Sequence, residues 1–163
     1  MKEIIDVRCF YKYAKNETVE DLENFDKVYN GVMEGNYTFC LEDIVLLCEL
    51  QIQNFPYMEP HQESKIMEIV YVVINECGIS AGFQELIKGL EKIIKVKEFL
   101  VGMYLRMMIN SYSEENIIIF SRLLSTSSND FKDKIKEIVV KSITLDSKRY
   151  EVKGNIILEN IEL

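Results

Sequence analysis

Apolar residues recur at three- and four-residue spacing along nearly the whole chain. That spacing predicts amphipathic helices rather than strands. Val19, Leu22, Phe25, Tyr29 and Val32 line one face, with Thr18 as the N-cap. Asn30-Gly31 and Gly35-Asn36 predict breaks after it. Leu41, Ile44, Val45, Cys48 and Ile52 line a second helix, which ends before a loop carrying Pro56 and Pro60. Ile66, Ile69, Val70, Val73, Ile74 and Cys77 make the cleanest repeat, with Gly78 as its stop. Ser80 stands as a cap before the next face, Phe83, Leu86, Ile87, Leu90, Ile93 and Ile94. Residues 99–109 are apolar almost all round, which predicts a central helix buried on several sides.

Ser113-Glu114-Glu115 reads as a cap and an acidic first turn, and Ser125 to Asn129 as a loop. Phe131, Ile135, Ile138, Val139 and Ser142 form one more face. The terminal stretch RYEVKGNIILENIEL reads two ways. Tyr150-Glu151-Val152 alternates like a strand and Lys153-Gly154-Asn155 suits a turn, giving a short C-terminal hairpin; the alternative is a last short helix. The expected fold is all-α, a single domain over residues 1–163 with seven or eight antiparallel helices joined by short loops. HEAT-like stacked helix pairs are one arrangement such connections allow.

Composition supports this picture. Hydrophobic residues make up 48% and there are only 2 Pro and 7 Gly, which excludes disorder as a general description. A domain of this length buries roughly 68–70% of its unfolded surface. The 4 cysteines form no C-x-x-C pair, the start Met-Lys-Glu does not resemble a signal peptide, and the apolar stretches are too interrupted to span a bilayer. The expectation is a cytoplasmic protein with reduced, mostly buried thiols and no membrane partner.

Charge changes the picture more. The net charge of −8 is unevenly placed: residues 1–80 hold 6 Lys/Arg against 15 Asp/Glu, residues 81–163 hold 13 against 12. Between Asn16 and Ser64 the only Lys or Arg is Lys27, against 11 acids. Nucleic acid needs clustered cations, so it is not the expected partner. A negative field steers in a basic protein instead.

Candidate chemistry is sparse. His61, the one histidine, is expected in a loop between Pro60 and Gln62. No Ser or Cys sits in an activating context, and Cys40 and Cys48 read as core. No phosphate-loop, dinucleotide or zinc-protease pattern occurs. Glu59 and Glu63 are four apart, with too few oxygen ligands nearby for a metal. No catalytic residue, metal or cofactor is therefore assigned. Two charged groups stand where apolar ones are expected: Glu49, seven residues after Glu42, and Arg106. A buried arginine needs a partner, and a carboxylate such as Glu49 suits it; Asn110, one turn on, is expected to brace the following loop. Tyr and Met side chains from Met103 to Met108 read as core; the rival reading is a helical pocket, as in a small-molecule-binding regulator or an enzyme.

The segment YLRMMINSYSEENIIIFSRLL, with Arg106, Asn110 and Ser111, resembles a step shared by bacterial immunity proteins of polymorphic-toxin and contact-dependent-inhibition systems. It is similar to the immunity protein family numbered thirty. LEDIVLLCEL, with Glu42, Asp43 and Glu49, resembles that family's earlier acidic helix. Members often carry a tryptophan approaching the arginine; Phe99 or Tyr104 stands in that place here. The resemblance implies a small all-α protein that binds and neutralises a cognate toxin domain without catalysis. The charge pattern places the expected interface on the acidic half, at Glu20, Asp21, Glu23, Glu34, Glu59 and Glu63.

Overall fold

A computed structural model describes residues 2–53 and 55–162. The chain is all-α: among the described residues nine helices follow one another, joined by short loops. A two-residue parallel pairing joins β1 (Glu3–Ile4) to β2 (Tyr37–Thr38), too short for periodicity to reveal. The chain groups into two compact units, Met1–Lys92 and Ile93–Leu163.

The first unit contains α1 (Cys9–Tyr13), α2 (Val19–Met33), α3 (Glu42–Gln51) and α4 (Pro60–Cys77), and α5 (Ile79–Ile93) closes it. Thr18 and Asp21 form a reciprocal capping box at the start of α2: Asp21 N–H donates to Thr18 Oγ1 at 3.1 Å, and Thr18 N–H to Asp21 Oδ2 at 3.0 Å. The helix does not break at Asn30-Gly31 as expected. Gly31 serves packing instead, since a methyl group there would lie 2.7 Å from Tyr37 Cε2. The turn comes at Gly35, whose φ of +74° suits glycine.

The proline loop is shorter than the sequence suggests. Pro60 opens α4 at a position where its missing N–H costs nothing, so His61 lies in an exposed first turn rather than a loop. Gln62 Oε1 accepts from Glu59 N–H at 2.9 Å. Asn16 and Gln62 exchange side-chain amide bonds at 2.5 and 3.1 Å, and Asn16 Nδ2 also donates to Tyr57 O at 2.9 Å. The chain entering α2 is thereby tied to the start of α4. Further along, Lys65 pairs with Asp26 at 2.7 Å and Tyr29 O–H donates to Glu68. These links advance together, so α2 and α4 run parallel. On α5, Gly82 and Gly89 let the backbone approach Ile74 of α4 and Cys48 of α3.

The second unit holds α6 (Glu98–Ser111), α7 (Glu114–Leu124), α8 (Asn129–Leu145) and α9 (Ser147–Asn160). Ser113, Ser128 and Asp146 cap α7, α8 and α9, accepting backbone N–H bonds at 3.3, 3.4 and 3.2 Å. α8 lies on α6 and α9 on α7, while α8 and α9 pack together. α6 packs on α9 as well as on α8.

The terminal stretch is a helix, which corrects the hairpin reading. Tyr150, Gly154, Ile157 and Ile161 recur at four, three and four residues and are all buried, whereas Val152 is exposed. Gly154 lets this helix pack closely on Ile143 and Val139 of α8. Leu163 lies outside the described residues. No helix among the described residues is long and apolar enough to cross a membrane.

Candidate functional site

The six carboxylates expected at an interface do not share one fate. Glu20 and Glu23 are exposed on α2. Asp21, between them, is only 8% exposed and belongs to the Thr18 cap. Glu34 follows the last turn of α2, exposed, and accepts from Asn36 Nδ2 at 3.0 Å. Glu59 is exposed at the start of α4, and Glu63 is half-buried one turn on. Glu20, Glu59 and Glu63 therefore sit at helix N-termini, where negative charge is stabilised by the positive end of the helix dipole. Glu23 and Glu34 instead share a shallow groove of about 600 Å³, with Asp26, Lys27, Asn30 and Tyr37 among its walls.

The charge asymmetry coincides with the two units. Residues 1–92 carry 8 Lys/Arg against 17 Asp/Glu, net −9; residues 93–163 carry 11 against 10, net +1.

Three of the six signature residues, Asp43, Glu49 and Asn110, make contacts that hold the fold together. Asp43 is buried, and its Oδ2 accepts from Cys40 N–H at 2.8 Å as α3 begins. Glu42 is exposed. Glu49 pairs with Lys92, not with Arg106 as expected. Arg106 is half-buried, its Nη1 3.4 Å from where a Gly102 Cβ would stand; it makes no hydrogen bond or ion pair among the described residues. A half-buried arginine can keep its head group hydrated while its stem packs, so a protein partner is not required. Asn110 braces α9 rather than the following loop: its Oδ1 accepts from Arg149 Nε at 3.0 Å. Beside it, Lys153 Nζ donates to Ile109 O at 2.8 Å and Tyr112 O at 2.5 Å, satisfying carbonyls that the end of α6 would leave open. Ser111 is exposed. Of the two aromatics before Arg106, Tyr104 is fully buried and Phe99 is 59% exposed.

No protein-family model, curated protein or solved structure matches this chain.

The titratable groups offer little for nucleophilic chemistry. Burial, and then Asp6, pushes the Cys9 thiol up to about 11. Burial followed by Asp43 raises Cys40, and burial followed by Glu76 raises Cys77. Such thiols stay protonated at neutral pH and attack poorly. Cys40 is exposed rather than core, because it precedes α3 on a turn; Cys48 is buried as expected. No three His, Cys, Asp or Glu side chains among the described residues converge as a metal would require. In the stretch proposed as a pocket lining, Tyr104, Leu105 and Met108 are fully buried core.

Sequence reasoning missed Asp26, Asn36 and Tyr37 of the groove. Tyr37 lies in a two-residue strand with no periodic signal; the one available hint was Gly31, a glycine within an otherwise regular helical pattern.

Proposed function

We propose that this chain is an immunity protein: a non-catalytic binder that neutralises a cognate bacterial toxin domain by covering it, in the cytoplasm of the cell it protects. The toxin it suits is basic, as a nuclease is. The observation that carries this reading is the concentration of charge, net −9 over residues 1–92, with Glu20, Glu23, Glu34 and Glu59 exposed on α2 and α4. A field of that sign accelerates encounter with a basic partner and disfavours nucleic acid. The resemblance carried by Arg106, Asn110 and Ser111 supplies the toxin system. The raised thiols of Cys9, Cys40 and Cys77 agree with a binder rather than a thiol enzyme.

The test is to sequence the neighbouring genes and to co-express the chain with any toxin-like domain that one of them encodes. Growth rescue together with co-purification is expected. A chain that neither rescues growth nor co-purifies would end this reading.

A further inference from the structure

The outer face of α2 combines two properties that no residue assigned above brings together. Along it, Val19, Leu22, Asp26, Asn30 and Met33 fall at i, i+3, i+7, i+11 and i+14, one stripe of a helix. Val19 is 75% exposed, Leu22 37% and Met33 41%. The neighbouring stripe, with Phe25 and Val32 about a third of a turn round the helix, supplies the core, so apolar residues continue from the buried side of α2 onto its exposed side. Beside the exposed stripe runs the groove. Its carboxylates differ in availability: Asp26 is taken by Lys65, whereas Glu23 and Glu34 make no ion pair among the described residues, with Lys27 on the wall of the same groove. These two stand eleven residues apart, about 16 Å along the axis and nearly in line. The Tyr37 ring, lying over Gly31, walls the groove.

We infer that this face of α2, Leu22 and Met33 with Glu23, Glu34 and Tyr37, is the surface that docks the partner, and that its occupant is a basic protein surface whose Lys or Arg side chain enters the groove between Glu23 and Glu34. The inference rests on the toxin reading above and narrows it to one helix. Charge complementarity selects the occupant, because residues 16–64 hold 11 acids and one Lys. Exposed Val19, Leu22 and Met33, spaced by Asp26 and Asn30, select protein over a simple polycation: protein interfaces combine apolar anchors with charged groups. Glu20, Glu59 and Glu63, at helix N-termini, become contributors to the field rather than contacts.

Three variants of the full chain test this against the neighbouring-gene toxin domain, with matched thermal unfolding confirming that each folds. Glu23→Gln with Glu34→Gln is expected to slow association by about tenfold at low salt, with little change in dissociation. Leu22→Ser with Met33→Ser is expected to speed dissociation by about tenfold, the loss of one interface anchor. Glu59→Gln is expected to change either rate less than about threefold. If the wild-type chain binds and both double variants bind equally well, or if Glu59→Gln carries the loss, docking on α2 is overturned while the immunity reading stands. If the wild-type chain neither binds nor rescues growth, both fall together.

Discussion

Arg106 and Lys153 show how far a single residue can be read. A lone charge in an apolar run predicts a buried pair, and breaking such a pair costs about 3–5 kcal/mol. The missing term was exposure. Arg106 lies along α6 over Gly102, half-buried, and Glu49 pairs with Lys92. Lys153 carries the weight instead, closing the end of α6 from α9 through Ile109 O and Tyr112 O. Nothing in the sequence around Lys153 announces this, because the contact spans more than forty residues. Urea unfolding should separate the two. Lys153→Met is expected to cost about 2 kcal/mol, as for hydrogen bonds to a charged group. Arg106→Met is expected to cost under about 1 kcal/mol. The reverse order would restore the buried-pair view of Arg106. Caps were more legible: Thr18 and Ser113 were readable because a side chain closing its own helix is a local event.

Helices with a long apolar period were legible as elements, and their ends less so. Two apparent breakers fell inside or at the start of helices, Gly31 through packing with Tyr37 and Pro60 through its place at the first helical position. The last helix was ambiguous because Tyr150-Glu151-Val152 fits two periods; the burial of Tyr150, Gly154 and Ile157 against α7 and α8 follows the helical one. The close-packed glycines differ in what they would tolerate. A methyl group at Gly82 would meet the backbone of Ile74 at 2.9 Å, whereas at Gly154 it would meet the tip of Ile143 at 2.9 Å. Gly82→Ala is therefore expected to destabilise by about 1–3 kcal/mol. Gly154→Ala should be near neutral, since Ile143 can turn aside and Ala gains about 1 kcal/mol of helix propensity. Thermal unfolding of the two variants checks the contrast.

The α2–α4 pairing also has a pH signature. Burial, and then the bond to Glu68, pushes Tyr29 from 10 up to about 12. A raised folded value means that the stabilisation is complete below pH 10 and lost as pH climbs to 12. Tyr29→Phe should lose less stability than the wild type across that interval. Identical losses would show that this hydroxyl contributes nothing to the pairing.

At the scale of the whole molecule the sequence was most informative about charge and least about geometry. The acidic excess was visible at once, and it coincides with the first compact unit. Counting alone could not show that Asp21 and Asp43 serve caps, or that Glu23 and Glu34 line one groove while Glu59 sits at a helix end. Those distinctions depend on burial and on which helix lies beside which. The central claim is that a negative first unit draws in and holds a basic partner. The association rate of the full chain with the neighbouring-gene toxin domain, measured across ionic strength, tests it most directly. Exposed charges are largely screened beyond about 3 Å at 1 M salt, against about 30 Å at 0.01 M. The account predicts an association rate that falls steeply between those two conditions. A rate that stays the same across them would contradict it.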